Sequence, residues 1–190
     1  MSRVFEIMRE CGALLTGHFL LSSGRHSGQY CQCAKLFINT EMGAEVMAVV
    51  AKKIKDRNVH VDKIVGPAMG GILPAYELAS QLGKPNVFTE RVDGKMALRR
   101  GFTIEKGEKV LIVEDVVTTG KSSLETAEVI RELGGEVIGI ACVIDRKSSN
   151  LDLPIYSAEE INIESYDAEE CPICKEGKIE IVKPGSRKIK

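Results

Sequence analysis

The chain has 190 residues and a mass of 20.8 kDa; 44% of the residues are hydrophobic and 28% charged. That profile fits one α/β domain with a small appendage and excludes disorder as a description of the whole. Basic residues (26) and acidic residues (27) nearly cancel, so a strongly basic nucleic-acid-binding surface is not the expected reading. The longest apolar runs, residues 46–51 and 137–144, fall far short of the ~18 residues of a membrane span, and residues 1–10 carry Arg and Glu where a secretory leader would be apolar. A cytoplasmic protein with no membrane partner is expected. Its six cysteines, at 11, 31, 33, 142, 171 and 174, fit that compartment as free thiols.

Residues 2–11 predict a short helix capped by Ser2, with Val4, Phe5, Ile7 and Met8 on its apolar side. Residues 17–24 and 29–36 read as two strands around a turn at Ser22-Ser23-Gly24-Arg25. Thr40 is the expected cap of a long helix to about Arg57, in which Met42, Val46, Val49, Val50 and Ile54 recur at helical spacing. Alternation follows: a strand at 63–67, a helix from Gly70-Gly71 to Leu82, a strand at 86–92 broken by Asp93-Gly94, and a strand at 109–117. A helix at 122–133 stopped by Gly134-Gly135, a strand at 136–144 and a last strand at Ile155-Tyr156 complete it. The pattern predicts a Rossmann-like parallel sheet flanked by helices. The ligand crevice of such a sheet lies beyond the carboxyl ends of its strands, which points to the loops at 67–72, 114–123 and 145–150. Residues 159–170 hold six acids and no base, and residues 175–190 six bases and two acids; a solvated tail wrapping the surface is the expected reading.

The chemistry concentrates in Val110-Leu-Ile-Val-Glu114-Asp115-Val116-Val117-Thr118-Thr119-Gly120-Lys121-Ser122. An apolar strand runs into two adjacent carboxylates, then into a hydroxyl-rich turn and the start of a helix. The free amides and positive dipole end of such a turn cradle an anion, and Thr118, Thr119 and Ser122 add hydroxyl donors, a combination suited to a phosphate monoester. Gly120-Lys121-Ser122 also ends a Walker A motif, but that motif requires Gly at position 115, where this chain has Asp. Two acids would repel a triphosphate, whereas carboxylates accept hydrogen bonds from a sugar diol. Two consecutive acids after Val-Leu-Ile-Val would be costly if merely buried and unpaired.

This stretch resembles the 5-phosphoribosyl 1-diphosphate (PRPP) loop of type I phosphoribosyltransferases. The resemblance implies that Glu114 and Asp115 hold the ribose hydroxyls and that Thr118, Thr119, Gly120, Lys121 and Ser122 hold the 5-phosphate, with Val116 and Val117 counted in the same PRPP-binding segment. It extends over residues 5–150. The segment 19–27, with Tyr30 and Leu36-Phe37, is similar to the N-terminal signature of orotate phosphoribosyltransferases. Residues 66–72 resemble the turn facing the diphosphate, and Val143-Ile144-Asp145-Arg146 the strand end whose Arg grips the orotate carboxylate. By the same resemblance Thr118 is the second orotate contact, and the turn at 22–27 closes over the base. A surface Arg146 paired with Asp145 is the alternative for that residue. Bidentate recognition by Arg suits a carboxylated base.

Residues 90–101 hold four bases and two acids, with Gly94 and Gly101 as candidate hinges, and a solvated hairpin is one reading of them. The resemblance implies instead a mobile catalytic loop that reaches the neighbouring site of a homodimer, with Arg91 and Lys95 on the diphosphate and Arg99 and Arg100 less firmly assigned. Arg91, Lys95 and Asp115 are then the catalytic set. The implied reaction joins orotate and PRPP, with Mg²⁺ held mainly by PRPP oxygens and water rather than by a protein cage, so no protein metal ligand is expected. A purine phosphoribosyltransferase and a non-catalytic PRPP-sensing regulator are the alternatives. The chain departs from the family pattern at Ser22 and Gly70, where many members have Lys, and no His follows His60, although many members carry one in the catalytic loop. The expected organisation is an N-terminal helix and hood over residues 1–40, a PRPP-binding core over 41–160 and a tail over 161–190. His18 and His26 lie near the hood turn, and an exposed His26 is expected. Cys171-Pro-Ile-Cys174 looks like half of a zinc knuckle, which Cys31 and Cys33 or a second copy would have to complete; a plain turn with reduced thiols is the expected reading.

Overall fold

Local capping fixes where the first helices begin. The Ser2 hydroxyl accepts from the Phe5 amide (3.2 Å) at the start of α1 (Arg3–Glu10), as expected. The next helix, α2 (Thr40–Asp56), is capped by Asn39 and not by Thr40: Asn39 Oδ1 accepts from the amides of Glu41 (3.0 Å) and Met42 (3.1 Å). Asn and Thr are both good caps, and here the side chain one residue earlier reaches the free amides, placing Thr40 inside the first turn.

The structure, a computed structural model, describes residues 2–21, 23–147, 149 and 151–184. A six-stranded sheet has the order β5-β4-β3-β6-β7-β8, from β3 (Lys63–Pro67), β4 (Asn86–Val92), β5 (Lys95–Leu98), β6 (Lys109–Val117), β7 (Glu136–Asp145) and β8 (Ile155–Glu160). All neighbours are parallel except β4 and β5, which form an antiparallel hairpin. The Asp93-Gly94 break is therefore a tight turn, with both residues at positive φ (50° and 82°), and the strand after it matches the hairpin reading of residues 90–101. The last strand runs four residues beyond Tyr156.

Alternate residues of the central strands face opposite cores. Ile64, Leu111, Val113, Ala141 and Val143 pack with Val46, Met47 and Val50 of α2, with Ala75 and Leu78 of α3 (Ile72–Leu82), and with Val4, Ile7 and Met8 of α1. Val65, Val110, Ile112, Ile140 and Cys142 pack against Ala127 and Ile130 of α4 (Lys121–Glu132). Helices thus cover both faces, as β-α alternation requires.

The hood is a separate two-stranded antiparallel sheet of β1 (Leu14–Leu20) and β2 (His26–Cys31). Residues 33–36, expected to extend the second strand, instead belong to a 3₁₀ helix over Cys33–Ile38, which buries Cys33 and Leu36. The tail is not a solvated wrap. Ile161, Ile163 and Cys171 are buried, Tyr166 bridges His26, Val182 bridges Phe19, and a short helix α5 (Pro172–Glu176) follows Cys171. Charge counts hid this because the buried tail residues are single apolar side chains spaced among acids.

Removing the α2 cap should cost about 1 kcal/mol. Denaturant unfolding should show Asn39→Ala destabilised by that amount and Thr40→Ala nearly neutral; the reverse ranking would restore Thr40 as the cap.

Candidate active site

The three loops picked out from the sequence leave β3, β6 and β7, adjacent parallel strands, at the same end of the sheet. Their carboxyl ends bring together Pro67 to Ile72, Glu114 to Ser123 and the residues after Asp145; Ser148 and Asn150 lie outside the described residues.

Strand alternation sends the two acids to opposite faces of the sheet. Glu114 follows Ile112 toward α4, where Ser123 Oγ donates to its Oε1 at 3.4 Å. Asp115 follows Val113 toward α3, where its carboxylate meets the turn at Gly70. A Cβ on Gly70 would lie 2.7 Å from Asp115 Oδ2, and one on Gly71 2.5 Å from the Val113 carbonyl oxygen. Glycines are thus required for this turn to lie against the end of β6, and a Lys at position 70 would collide with the acid. Asp115 Oδ1 also accepts from the Val116 amide at 2.7 Å.

Burial governs the electrostatics of the pair. Loss of solvent, then the neighbouring Asp115 charge, push Glu114 up to about 8, and the Ser123 bond offsets only part of that. Asp115 is raised for the same first reason, against the Val116 bond that favours its charged form. Among the described residues neither acid has a cationic partner. Such a pair is set to accept hydrogen bonds from neutral donors or to meet a ligand-borne cation.

The turn after β6 runs through Thr118 and the exposed Thr119 to Gly120, which begins α4 with φ +74°. A Cβ on Gly120 would lie 2.5 Å from Leu151 Cδ1, so the loop is held from outside. The first amides of α4 have no intrahelical acceptor and open into this turn. Lys121 turns away: its exposed ammonium sits 4.0 Å from Glu125, one helical turn on, so it does not fill the role of a Walker A lysine. Ser122 is half-buried in the first turn of α4. Val117 is buried among the α4-side core residues, Val116 packs on the other side, and the Val117 carbonyl accepts from the Arg146 amide at 3.0 Å. Both valines could meet a ligand only through backbone.

Arg146 stands beside this loop, just after β7. It is not the surface partner of Asp145, which pairs with Lys147 at 3.7 Å and accepts from the Lys147 amide at 2.8 Å. Arg146 Nη2 donates to the Ile163 carbonyl at 2.8 Å, while its Nε is buried with no hydrogen-bond partner among the described residues. Partial burial draws its pKa down. The hood lines the space between Arg146 and the acids: Cys31 feels both Arg146 and Asp115, and its thiol is pushed up to about 11, chiefly by burial. Tyr30 and Cys33 also feel the Asp115 charge and are likewise raised mainly by burial. Tyr30 belongs to the hood signature noted in the sequence, whereas no spacing pointed to Cys31 or Cys33 at this place or to the Ile163 carbonyl.

The basic segment 90–101 takes the hairpin form. Arg91 donates to the Gly94 carbonyl (2.9 Å) and pairs with Glu125 of α4, while Arg99 and Arg100 pair with Glu90, the latter at 2.9 Å. Lys95 is exposed and makes no ion pair among the described residues. The structure therefore gathers Glu114, Asp115, residues 116–122 and Arg146 at one end of the sheet, and holds Arg91 on the hairpin against α4. Ser22 lies outside the described residues. Residues 25–27 of the hood are fastened to the tail, with Arg25 bonded to Ser165 and Asp167 (2.7–3.0 Å) and Ser27 Oγ donating to the Glu164 carbonyl at 2.8 Å. His26, expected to be exposed, is buried.

Comparison with known proteins agrees with this geometry. A phosphoribosyl transferase domain model matches residues 33–170, which leaves β1–β2 and the Cys171 turn outside the match. The orotate phosphoribosyltransferase of Caldanaerobacter subterraneus subsp. tengcongensis is 49% identical over 189 residues, covering 98% of each chain. Among solved structures, the orotate phosphoribosyltransferase of Aeropyrum pernix superposes with a TM-score of 0.70 at 25% identity, covering 82% of this chain and 92% of that one. The Mycobacterium tuberculosis H37Rv enzyme in complex with inorganic phosphate gives 0.65 at 23% identity, covering 83% and 93%. An acid pair and a hydroxyl-bearing turn at the end of a central parallel strand, together with these matches, establish that the chain belongs to the phosphoribosyltransferase family, alongside the orotate phosphoribosyltransferases.

Proposed function

We propose that this protein transfers the 5-phosphoribosyl group of PRPP to orotate, giving orotidine 5′-phosphate and diphosphate, a step toward UMP. The observation that carries the reading is Arg146. A half-buried guanidinium whose Nε has no acceptor among the described residues is costly to maintain, and a planar carboxylate on an incoming base would supply a partner. A purine carries no carboxylate and would leave that nitrogen unpaired, which disfavours the purine alternative. Thr118, at the start of the loop beside it, is the second group proposed to touch the base.

Glu114 and Asp115 accept the ribose hydroxyls, and the amides and hydroxyls of residues 118–122 hold the 5-phosphate. The bond from ribose C1 to the diphosphate oxygen breaks as a bond from the orotate ring nitrogen forms on the opposite face, through an oxocarbenium-like state. Mg²⁺ fits here as an ion carried by PRPP: the protein offers hard carboxylate oxygens at 114 and 115 but, among the described residues, no cluster of three acids to cage it. When bound, it neutralises charge on the leaving diphosphate.

Arg91 and Lys95 are proposed to reach the diphosphate, Lys95 with the better claim because Arg91 must first leave Glu125. A homodimer that brings residues 90–101 to the neighbouring site is part of the proposal. Its support is an exposed apolar stripe at Met69 (82% exposed), Leu73 (50%) and Tyr76 (66%), one face at the start of α3 beside the site. The cytoplasm is the proposed compartment, with no nucleic-acid or membrane partner. No helix among the described residues is long and apolar enough to cross a membrane.

Loss of orotate absorbance on adding PRPP and Mg²⁺ tests the reaction itself; a PRPP-sensing regulator would bind PRPP and leave orotate intact. Arg146→Ala should raise the KM for orotate by about 10- to 100-fold, the worth of charge-assisted bonds, and change the KM for PRPP little. Unchanged orotate kinetics would refute the base assignment. Asp115→Asn should cut kcat/KM for PRPP by a similar factor, and Gly70→Ala should do so as well by displacing that carboxylate.

The acid pair also predicts a pH dependence. Glu114 keeps its proton in the folded state up to about 8, whereas an unfolded Glu releases it near 4.5, so the folded state binds more protons between these limits. Its contribution to stability therefore falls as pH rises from 4.5 to 8. The ligand-free protein should lose Tm over that window, and Glu114→Gln should lose less. Since the diol needs an ionised acceptor, kcat/KM for PRPP should rise with pH across the upper part of the same window. Parallel pH profiles for wild type and Glu114→Gln would contradict both statements.

A further inference from the structure

On the far side of the hood, four metal-binding side chains from the two ends of the chain meet. His18 Nε2, His26 Nδ1, Cys171 Sγ and Cys174 Sγ all lie within 4.8 Å of one another. We propose that they form a structural Cys₂His₂ zinc site that fastens the tail to the hood. This inference is independent of the substrate assignment.

The spacing is that of a coordination shell. Zinc–sulfur bonds near 2.3 Å and zinc–nitrogen bonds of 2.0–2.1 Å put tetrahedral ligand atoms about 3.3–3.8 Å apart. Here His18 Nε2 lies 3.1 Å from His26 Nδ1, 3.6 Å from Cys171 Sγ and 3.5 Å from Cys174 Sγ, and Cys174 Sγ lies 3.2 Å from His26 Nδ1. The tautomer is right as well. His18 Nδ1 faces the Ile179 carbonyl at 3.1 Å and must donate to it, which leaves Nε2 as a bare lone pair at the centre of the cluster. One lone pair cannot accept from three neighbours at once, whereas an ion at the centre satisfies all four ligands. The bond to the Ile179 carbonyl is the outer-shell support that a metal-bound imidazole usually has.

Burial and charge agree with an ion. His18, His26 and Cys171 are buried, and two thiolates with Zn²⁺ make a site of zero net charge, which an interior tolerates. Thiolate and imidazole ligands in a closed quartet favour zinc over Mg²⁺. The backbone holds both halves in place. Tyr166 and His26 exchange two bonds of 2.8 Å, the Val182 amide donates to the His18 carbonyl at 2.8 Å, and the Leu20 amide donates to the Val182 carbonyl at 2.9 Å. Ile173, between the two cysteines, lies against Gly28, where an added Cβ would sit 3.5 Å from its Cδ1. The expected plain turn with reduced thiols is thus a ligand-bearing turn, and its partners are the two histidines. Cys31 and Cys33 face Arg146 and Asp115 instead.

The test is metal analysis of the untagged full-length protein, purified under reducing conditions without chelator. One zinc per chain is expected, with only background zinc in Cys174→Ser, whose exposed position makes misfolding least disruptive. Should that variant not fold, cobalt decides: wild-type protein stripped of metal and given Co²⁺ should develop the visible bands of a tetrahedral ion and the near-ultraviolet thiolate charge-transfer band. His26→Cys should retain zinc, because it exchanges one good ligand for another. Stripping should also raise amide exchange at residues 166–182 and lower Tm, and zinc should restore both. Background zinc in wild type together with a featureless cobalt spectrum, or a Cys171–Cys174 disulfide in the isolated protein, would overturn the proposal.

Discussion

Two ionisable carboxyl groups set side by side at the end of a buried strand impose most of what surrounds them. Taking Glu114 and Asp115 out of water with no cationic partner among the described residues is unfavourable, and the rise of Glu114 to about 8 reflects burial first and the neighbouring charge second. The fold accepts it because strand alternation sends the acids to opposite faces, one toward the Ser123 hydroxyl and the other toward a turn without side chains at Gly70 and Gly71. The free helix amides of the next loop lie close by. The proposed sugar phosphate would answer both demands, with hydroxyls for the acids and an anion for the amides.

The second element of the site is built by distant parts of the chain. Arg146 follows a core strand, yet its guanidinium is steadied by the carbonyl of Ile163, and Ser27 of the hood bonds to the carbonyl of the next residue, Glu164. Hood, strand end and tail thereby form one connected set of hydrogen bonds around the place proposed for the base. In the proposed reading, selectivity for a carboxylated base rests on how well the tail is seated, as well as on the arginine itself.

Periodicity made the core legible. The strands at 63–67, 86–92 and 109–117 and the helix ending at Leu82 stand where apolar spacing placed them, because each buries a continuous face. The acid pair and its loop were equally legible, since their meaning lies in consecutive residues. What escaped notice depended on contacts far apart in sequence. Nothing local says that Arg91 pairs with Glu125, that Cys33 to Ile38 coil into a 3₁₀ helix, or that His18 and His26 meet Cys171 and Cys174. The tail departs from its charge pattern for the same reason: its acids mark the solvent side, while Ile161, Ile163 and Cys171 do the packing.

The seam between hood and tail also bears on how the polypeptide matures. Arg25 and Ser165, which meet across it, are 140 positions apart. A two-stranded hairpin is marginal on its own, so β1 and β2 emerge from the ribosome long before the segment that secures them has been made. The central sheet can assemble in the meantime, because its strands and covering helices follow one another in the chain. The hydrogen bonds that Arg25, Ser27 and Arg146 make to residues 163–167 can therefore form only after the core strands and helices have been made.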